Sequence, residues 1–408
     1  MNICVLTHTF PRNQKDSAAA FMKEFCDGLV ENGHKVVVVT PFDKEFRRQD
    51  DSFKIVTYKY IWPLGAHLLG YSRSMEADIE IKKINYLLVP FMVLFGFFAL
   101  LKTIRREKID VVSVHWILPN GLIAWLTYKI TKIPYVVTLP GTDVFLVSKY
   151  KFLRLIAKMI ALNASGIFSN SQWHLDKVLN LGVKPYLTGV ITYPVNVDKF
   201  KPSTYGVAKL RTDLGYQDKL VLLAVGRLVY KKGFDYLIKA MPKVIKQFPN
   251  TRLIIGGSGD LLKEWQELAT DLKVSNYIFF AGSIPRDVVS IYYNMADIMV
   301  TPSVIDQKGN IDGRPLVILE SMACGKAQIV TNLPGISEGL KDQVNGLLVE
   351  QRNESSLSEA ILKLLSSPGL RKKMGDNNRK LAQEEFSTEQ IGKRYSEVFR
   401  KALDYGQN

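Results

Sequence analysis

Cysteine is scarce in this chain: Cys4, Cys26 and Cys324 are the three it has in 408 residues. Three scattered thiols make no disulfide framework and show no metal-ligand spacing, which excludes a stapled or zinc-built fold and points to a reducing, cytoplasmic setting. There is no repeat with a period of roughly 20–50 residues and no low-complexity tract, which excludes solenoids and disordered arrays. The opening MNICVLT carries no basic stretch ahead of its apolar residues, so it reads as a first strand and not as a signal peptide. Zinc fingers, an aromatic-rich ribonucleoprotein motif and a basic tail are also missing, and the positive residues are spread along the chain. Nucleic acid is therefore not expected as a partner, despite a net charge of +15.

What is present is a globular composition, 47% hydrophobic and 23% charged, in a chain long enough for two domains. Short apolar runs at 3–7, 35–40, 110–114, 135–139 and 166–170 alternate with helical stretches, the pattern of a parallel α/β sheet. A second series starts at Leu220 and continues through Leu253, Tyr277, Ile298 and Gln328. Between the two series the stretch 193–202, with two prolines, suits a linker. Residues 1–200 hold 25 Lys+Arg against 16 Asp+Glu, net +9, and the remainder holds 29 against 23, net +6. The more basic first half also contains Tyr86 followed by fifteen apolar residues and then KTIRREK (102–108). That run falls short of the ~20 residues of a usual membrane span, and Pro90 sits inside it. It reads as a helix lying on the first domain. Two versions stand: a partly exposed face turned to an anionic membrane, and a core helix capped by basic residues at its carboxyl end.

The most informative segment is DGRPLVILESMACG (312–325). Pro315 suits the first helical position and Gly325 the residue just past the end, so a helix is predicted between them with Asp312 in the preceding loop. Leu316, Leu319, Met322 and Ala323 make an apolar face, and Glu320 lies in the middle of it. A carboxylate so placed is costly unless something donates hydrogen bonds to it, and ligand hydroxyls would serve. The free N–H groups at the helix start would attract an anion. A second cluster, GRLVYKKG (226–233), follows the apolar run LVLLAV (220–225), which reads as a buried strand. A loop at the carboxyl end of a parallel strand is where open α/β sheets bind ligands. Arg227 offers a planar fork and Lys232 a point charge, a pair suited to phosphates; the same stretch also reads as a solvated basic loop.

Taken in order, these segments resemble the donor half of the retaining glycosyltransferases of family four, which have the GT-B fold. RLIIGGSGD (252–260), with Gly257 in its turn, is similar to that family's strand and glycine turn, and ADIMVTPS (296–303) to the strand before its carboxylate loop. AQIVTNLPGISE (327–338) and NGLLV (345–349) complete the pattern. The resemblance implies two Rossmann-like, doubly wound parallel-sheet domains facing each other across a cleft. It implies an acceptor domain over 1–195, joined by a C-terminal helix at about 387–408 that crosses back, and a donor domain over 203–386. It assigns Arg227 and Lys232 to the diphosphate of a nucleotide sugar and Glu320 to the ribose, with Gly226 and Gly257 among the donor-binding residues. Asp312 is assigned to the donor sugar, and the backbone at Gly313, Arg314 and Leu316 to the anion cradle. Arg227, Lys232, Asp312 and His115 are its implied catalytic set. A UDP-, GDP- or similar sugar is the implied donor, and a lipid-linked or saccharide molecule the implied acceptor, at the inner face of a membrane in surface-polysaccharide building. No metal is expected: no D-x-D motif stands at a strand end, and the two cations neutralise the diphosphate.

The first half departs from the family in two places. The turn after the first strand, TFPRNQKDSAAA (9–20), has no glycine, so close backbone approach to a phosphate is not expected there. The fourth strand ends in TLPGTD (138–143), with Pro140 where the family has a histidine. Gly141, Thr142 and Asp143 remain as acceptor-site candidates. His115, in VHWILPNG (114–121), is either an acceptor contact or a structural histidine, and His8 follows the first strand. Asp312 itself replaces the usual glutamate and is one methylene shorter. Two other readings stay open: a same-fold epimerase or glucan synthase, and a non-catalytic scaffold.

Overall fold

The computed structural model describes residues 1–13, 16, 19–48, 52–70 and 83–406. The chain divides into two compact units, Met1–Pro194 with Thr388–Asn408, and Val195–Ser387. Each is built on one all-parallel sheet. In the first, β1 (Asn2–Leu6), β2 (Lys35–Pro41), β3 (Lys54–Tyr58), β4 (Val111–His115), β5 (Tyr135–Leu139), β6 (Gly166–Ser169) and β7 (Leu187–Val190) lie in the order β3-β2-β1-β4-β5-β6-β7. In the second, β8 (Leu220–Val225), β9 (Thr251–Gly256), β10 (Ile278–Gly282), β11 (Ile298–Thr301), β12 (Ala327–Thr331) and β13 (Gly346–Val349) lie in the order β10-β9-β8-β11-β12-β13.

The central strands are buried on both faces by helices, which is why they read as unbroken Val, Ile and Leu runs and not as alternating ones. Leu6, Val39, Val114 and Val137 belong to the core of the first unit, and Leu222, Leu253, Val300 and Ile329 to that of the second. Each such side chain contributes about 1.5–3 kcal/mol on burial. Strand β1 starts one residue earlier than its apolar run suggests, and β4 one residue later.

The C-terminal helix Thr388–Gly406 belongs to the first unit, where it packs on the helix Ala20–Glu31. Gly28 and Gly392 make this contact: a Cβ on either would run into backbone of the other helix. Asn32 donates to the Glu389 carbonyl at 3.0 Å, and the His34 ring meets Ser396 Oγ at 2.7 Å.

The apolar run of the first half forms the helix Val89–Glu107, preceded by a 3-10 turn at Lys83–Leu88. Pro90 falls in its first turn, where a missing N–H costs no intrahelical bond. Including that turn, Asn85–Glu107 is long and apolar enough to cross a membrane, contrary to the count from the sequence. It nevertheless lies along the first sheet, with Met92, Gly96, Leu100 and Ile104 buried against it. Its other face is open: Leu87 is 71% exposed and Phe98 56%, with Phe91, Leu94 and Phe95 beside them.

Candidate active site

In the second sheet β8 is flanked by β9 on one side and β11 on the other, so the strand order reverses between β8 and β11. The crevice at the carboxyl ends of two such strands is where open α/β sheets take ligands. Both sequence motifs are there: 226–233 follows β8, and 302–315 follows β11.

Gly226 N–H donates to the Gly256 carbonyl at 2.9 Å and Leu228 N–H to Ser258 at 2.9 Å, stitching the loop after β8 to the loop after β9. Gly257, at φ +140°, lies so close to Gly226 that a Cβ would strike its carbonyl oxygen, so only glycine fits. The loop then turns at Tyr230–Lys232 and is tied across the reversal point by Val304 N–H donating to the Lys231 carbonyl at 2.8 Å.

These ties gather three cations round one carboxylate. Lys232 Nζ is 2.6 Å from Asp312 Oδ2, Lys231 Nζ is 3.5 Å from Oδ1, and Ser303 Oγ donates to Oδ2 at 3.4 Å. Arg227 is exposed on the same loop. Burial pushes the Asp312 carboxyl up, but Lys232, Lys231 and Arg227 together outweigh it and hold it at about 2. One negative charge against three positive ones leaves the crevice attractive to an anion.

The helix that follows is Leu316–Ala323, one residue shorter at each end than predicted: Pro315 has extended backbone and caps it, and Gly325 closes it at φ +69°. Gly313 and Leu316 are half-buried at its start. Glu320 is 3% exposed, and the hydrogen bonds its burial demands come first from protein groups and not from ligand hydroxyls alone. Tyr293 Oη donates to Oε2 at 2.7 Å and Arg286 Nη1 donates to Oε1. The Arg286 guanidinium also lies 4.8 Å over the Phe200 ring. Burial, then the neighbouring Glu320 charge, raise the Tyr293 phenol well above its ordinary value, so it stays a donor.

The Arg314 side chain pairs with Glu338 at 3.5 Å and stacks on the Phe386 ring at 5.6 Å, while the expectation placed on this residue concerns its backbone N–H. Three expectations are corrected. Asp312 is not an open carboxylate facing a sugar, since lysines hold both its oxygens. His115 is fully buried on β4, with Nδ1 2.8 Å from Tyr193 Oη and Nε2 3.2 Å from Ser113 Oγ, so it is a structural histidine. Burial brings its pKa down to about 3. Asp143 is buried too, its Oδ2 accepting the Ile117 N–H, and so it braces the loop after β4 instead of opening to an acceptor. Gly141 backs onto the His174 ring, and Thr142 begins the helix Thr142–Lys149.

Sequence reasoning did not single out Lys231, Ser303, Arg286 and Tyr293. Lys231 had a signal, being next to Lys232 in the same loop. Arg286 and Tyr293 had none, since each is brought to Glu320 only by packing of the helix Val289–Met295 and the loop before it. A groove of about 810 Å³ between Pro202, Asn294, Lys326 and Arg379 lies at the amino end of β12, away from this cluster.

Two doubly wound parallel sheets, one with a cationic crevice at its reversal point, define the GT-B fold. Residues 18–199 match the family model Glycosyltransferase Family 4, and residues 208–381 match Glycosyl transferases group 1. The chain belongs to this glycosyltransferase family. It is 27% identical to an uncharacterized glycosyltransferase of Methanocaldococcus jannaschii across 99% of both chains. It is 30% identical to a GDP-mannose-dependent alpha-(1-6)-phosphatidylinositol monomannoside mannosyltransferase of Mycolicibacterium smegmatis over 50% of this chain and 54% of that one. Among solved structures it superposes on sucrose-phosphate synthase from Thermosynechococcus elongatus with a TM-score of 0.78, at 19% identity over 99% of each chain. Anabaena HepE in complex with UDP-glucose gives 0.74 at 19% identity, over 98% of this chain and 99% of that one.

Proposed function

We propose that the protein is a retaining, metal-independent glycosyltransferase that moves a sugar from a nucleotide-sugar donor to a hydroxyl of a lipid-linked or polysaccharide acceptor. The observation that carries this is the cluster of Arg227, Lys231 and Lys232 at the reversal point of the second sheet. A diphosphate there meets Arg227 on the exposed side of the loop, while Asp312 holds Lys232 in position; Glu320, oriented by Arg286 and Tyr293, has lone pairs left for ribose hydroxyls. Relatives and neighbours with UDP-glucose or GDP-mannose in their names support the donor class.

The positions of the candidate bases support the retaining reading. His115, Asp143 and Asp312 are each engaged, and Pro140 offers no proton acceptor of its own side chain. The acceptor proton then passes to the departing diphosphate oxygen as the C1–O bond to it breaks and the new glycosidic bond forms on the same face. The protein positions both partners and stabilises the leaving charge. The setting we infer is the cytoplasmic face of a membrane, because the outer side of Val89–Glu107 is apolar and its end is basic.

Thermal shift against UDP-, GDP-, ADP- and dTDP-sugars tests this. One nucleotide class should stabilise the protein, and Arg227→Ala should abolish the shift. No shift with any of them would sink the donor assignment and favour the scaffold.

A further inference from the structure

The groove at the amino end of β12 lies at the edge of the second sheet opposite the candidate active site, and nothing assigned so far uses it. Its walls come from the stretch 202–204, from Asn294, from the turn 324–326 and from the helix Pro368–Glu385. Three cations line it, Lys326, Arg379 and Lys380, against one acidic residue, Asp376, which Lys372 holds at 2.6 Å.

Two of these cations are fixed in place with donors left over. Lys326 is half-buried, and its Nζ donates to the Asn294 carbonyl at 2.8 Å. An ammonium has three N–H donors, and the others of Lys326 have no protein partner among the described residues. Arg379 is half-buried too, and its Nη1 donates at 2.9 Å to the carbonyls of Val197, Phe200 and Ala323. These bonds hold the guanidinium by one corner. The edge formed by Nε and Nη2, the fork that takes two oxygens of an anion, has no protein acceptor among the described residues. Neither cation pairs with a carboxylate there. Burial lowers the Lys326 pKa, and the charge of Asp297, shared with Arg211 at 3.6 Å, does not offset it. Half-buried like charges in one groove repel until an anion joins them.

Ser203 Oγ accepts the Tyr205 N–H at 3.1 Å and keeps its own proton to donate. The donor set is therefore a fork, an ammonium and a hydroxyl, which suits a tetrahedral oxyanion. At about 810 Å³ the groove falls within the roughly 300–1,000 Å³ of small-molecule sites, which leaves space for an organic body beyond the phosphoryl group. The exposed large apolar residues of the second unit are Tyr205, Tyr230 and Val344, with no Phe, Leu, Ile or Trp among them to enter a bilayer, so a soluble molecule fits better than a lipid headgroup.

We propose that this groove is a second anion site, which binds the phosphoryl group of a small soluble molecule through Lys326 and Arg379, apart from the donor diphosphate. The assignment stands independently of the donor reading. Arg379 grips both the linker stretch and the carboxyl end of the helix Leu316–Ala323, so the occupant sits behind the helix that carries Glu320.

Carbon-13 spectra of the full-length protein labelled at lysine Cε test it. The Lys326 signal, identified by its loss in Lys326→Gln, should shift saturably with inorganic phosphate and stay still in sodium chloride of equal ionic strength. The same shift should persist in Arg227→Ala, where the donor loop has a weaker hold on phosphate. Arg379→Lys, which keeps a charge and gives up the fork, should need several-fold more phosphate for the same shift. No shift with phosphate, an equal shift with chloride, or a shift that disappears in Arg227→Ala overturns the site, whether or not Arg379→Lys folds. A response confined to phosphatidylglycerol vesicles overturns the soluble ligand.

Discussion

Glu320 and Asp143 are both buried carboxylates, held in opposite ways. Glu320 has a cation and a phenol on its two oxygens, and removing it takes their buried carboxylate from both. Glu320→Ala is expected to cost about 3 kcal/mol, whereas Arg227→Ala, at an exposed position, stays within about 0.5 kcal/mol; urea denaturation of both checks this. Asp143 has backbone donors, and burial nonetheless raises it to about 6. The unfolded chain ionises near ~3.9, so the folded protein binds this proton more tightly. The stability it contributes is complete below about pH 4 and is lost as pH rises through about 6, a loss of about 3 kcal/mol. Asp143→Asn, which keeps an oxygen for the Ile117 N–H, should flatten stability between those limits in urea titrations at several pH values. The motif residues were legible because phosphate chemistry favours Arg, Lys and Gly at set spacings. His115 stayed open between two readings because its motif places it next to a strand end, and only the central position of β4 shows that its ring points into the core.

At the scale of elements, glycine and apolar patterning decide. Gly28 and Gly392 let two helices of the first unit touch backbone to backbone, so Gly392→Ala should push them apart at a cost of about 1–3 kcal/mol, measured by urea unfolding. The outer face of Val89–Glu107 belongs to a stretch, 89–163, that holds ten Lys+Arg against three acidic residues. Those three are engaged: Glu107 with Lys54 and Lys35, Asp110 with the Asn2 N–H, and Asp143 with Ile117. Phe91→Ser with Leu94→Ser and Phe98→Ser should lower sedimentation with phosphatidylglycerol vesicles at least several-fold without lowering the thermal midpoint, and rising salt should weaken wild-type binding. Equal binding by the variant would refute membrane contact through this face. The sequence showed the central strands but not β3, β7 and β13. All three are edge strands; β3 and β7 are partly open to solvent, so KIVTY and LTGV carry too few apolar residues to stand out from loops, and β13 is only four residues long.

At the scale of the whole chain, the second unit is one continuous stretch with its own core, while the first is assembled from two pieces. Val195–Ser387 produced alone should therefore fold and keep the thermal shift with whichever nucleotide sugar stabilises the intact protein. Loss of that shift in a folded fragment would mean that the first unit contributes to donor binding.

The two ends of that stretch meet: Val195 N–H donates to the Phe386 carbonyl at 2.8 Å, and Val195 bridges Ser387 in parallel. An insert whose entrance and exit share one doorway can be lifted out or exchanged at a single seam. A chain of this design lends itself to shuffling, in which a cassette cut at 195 and 387 is swapped between relatives in a single exchange.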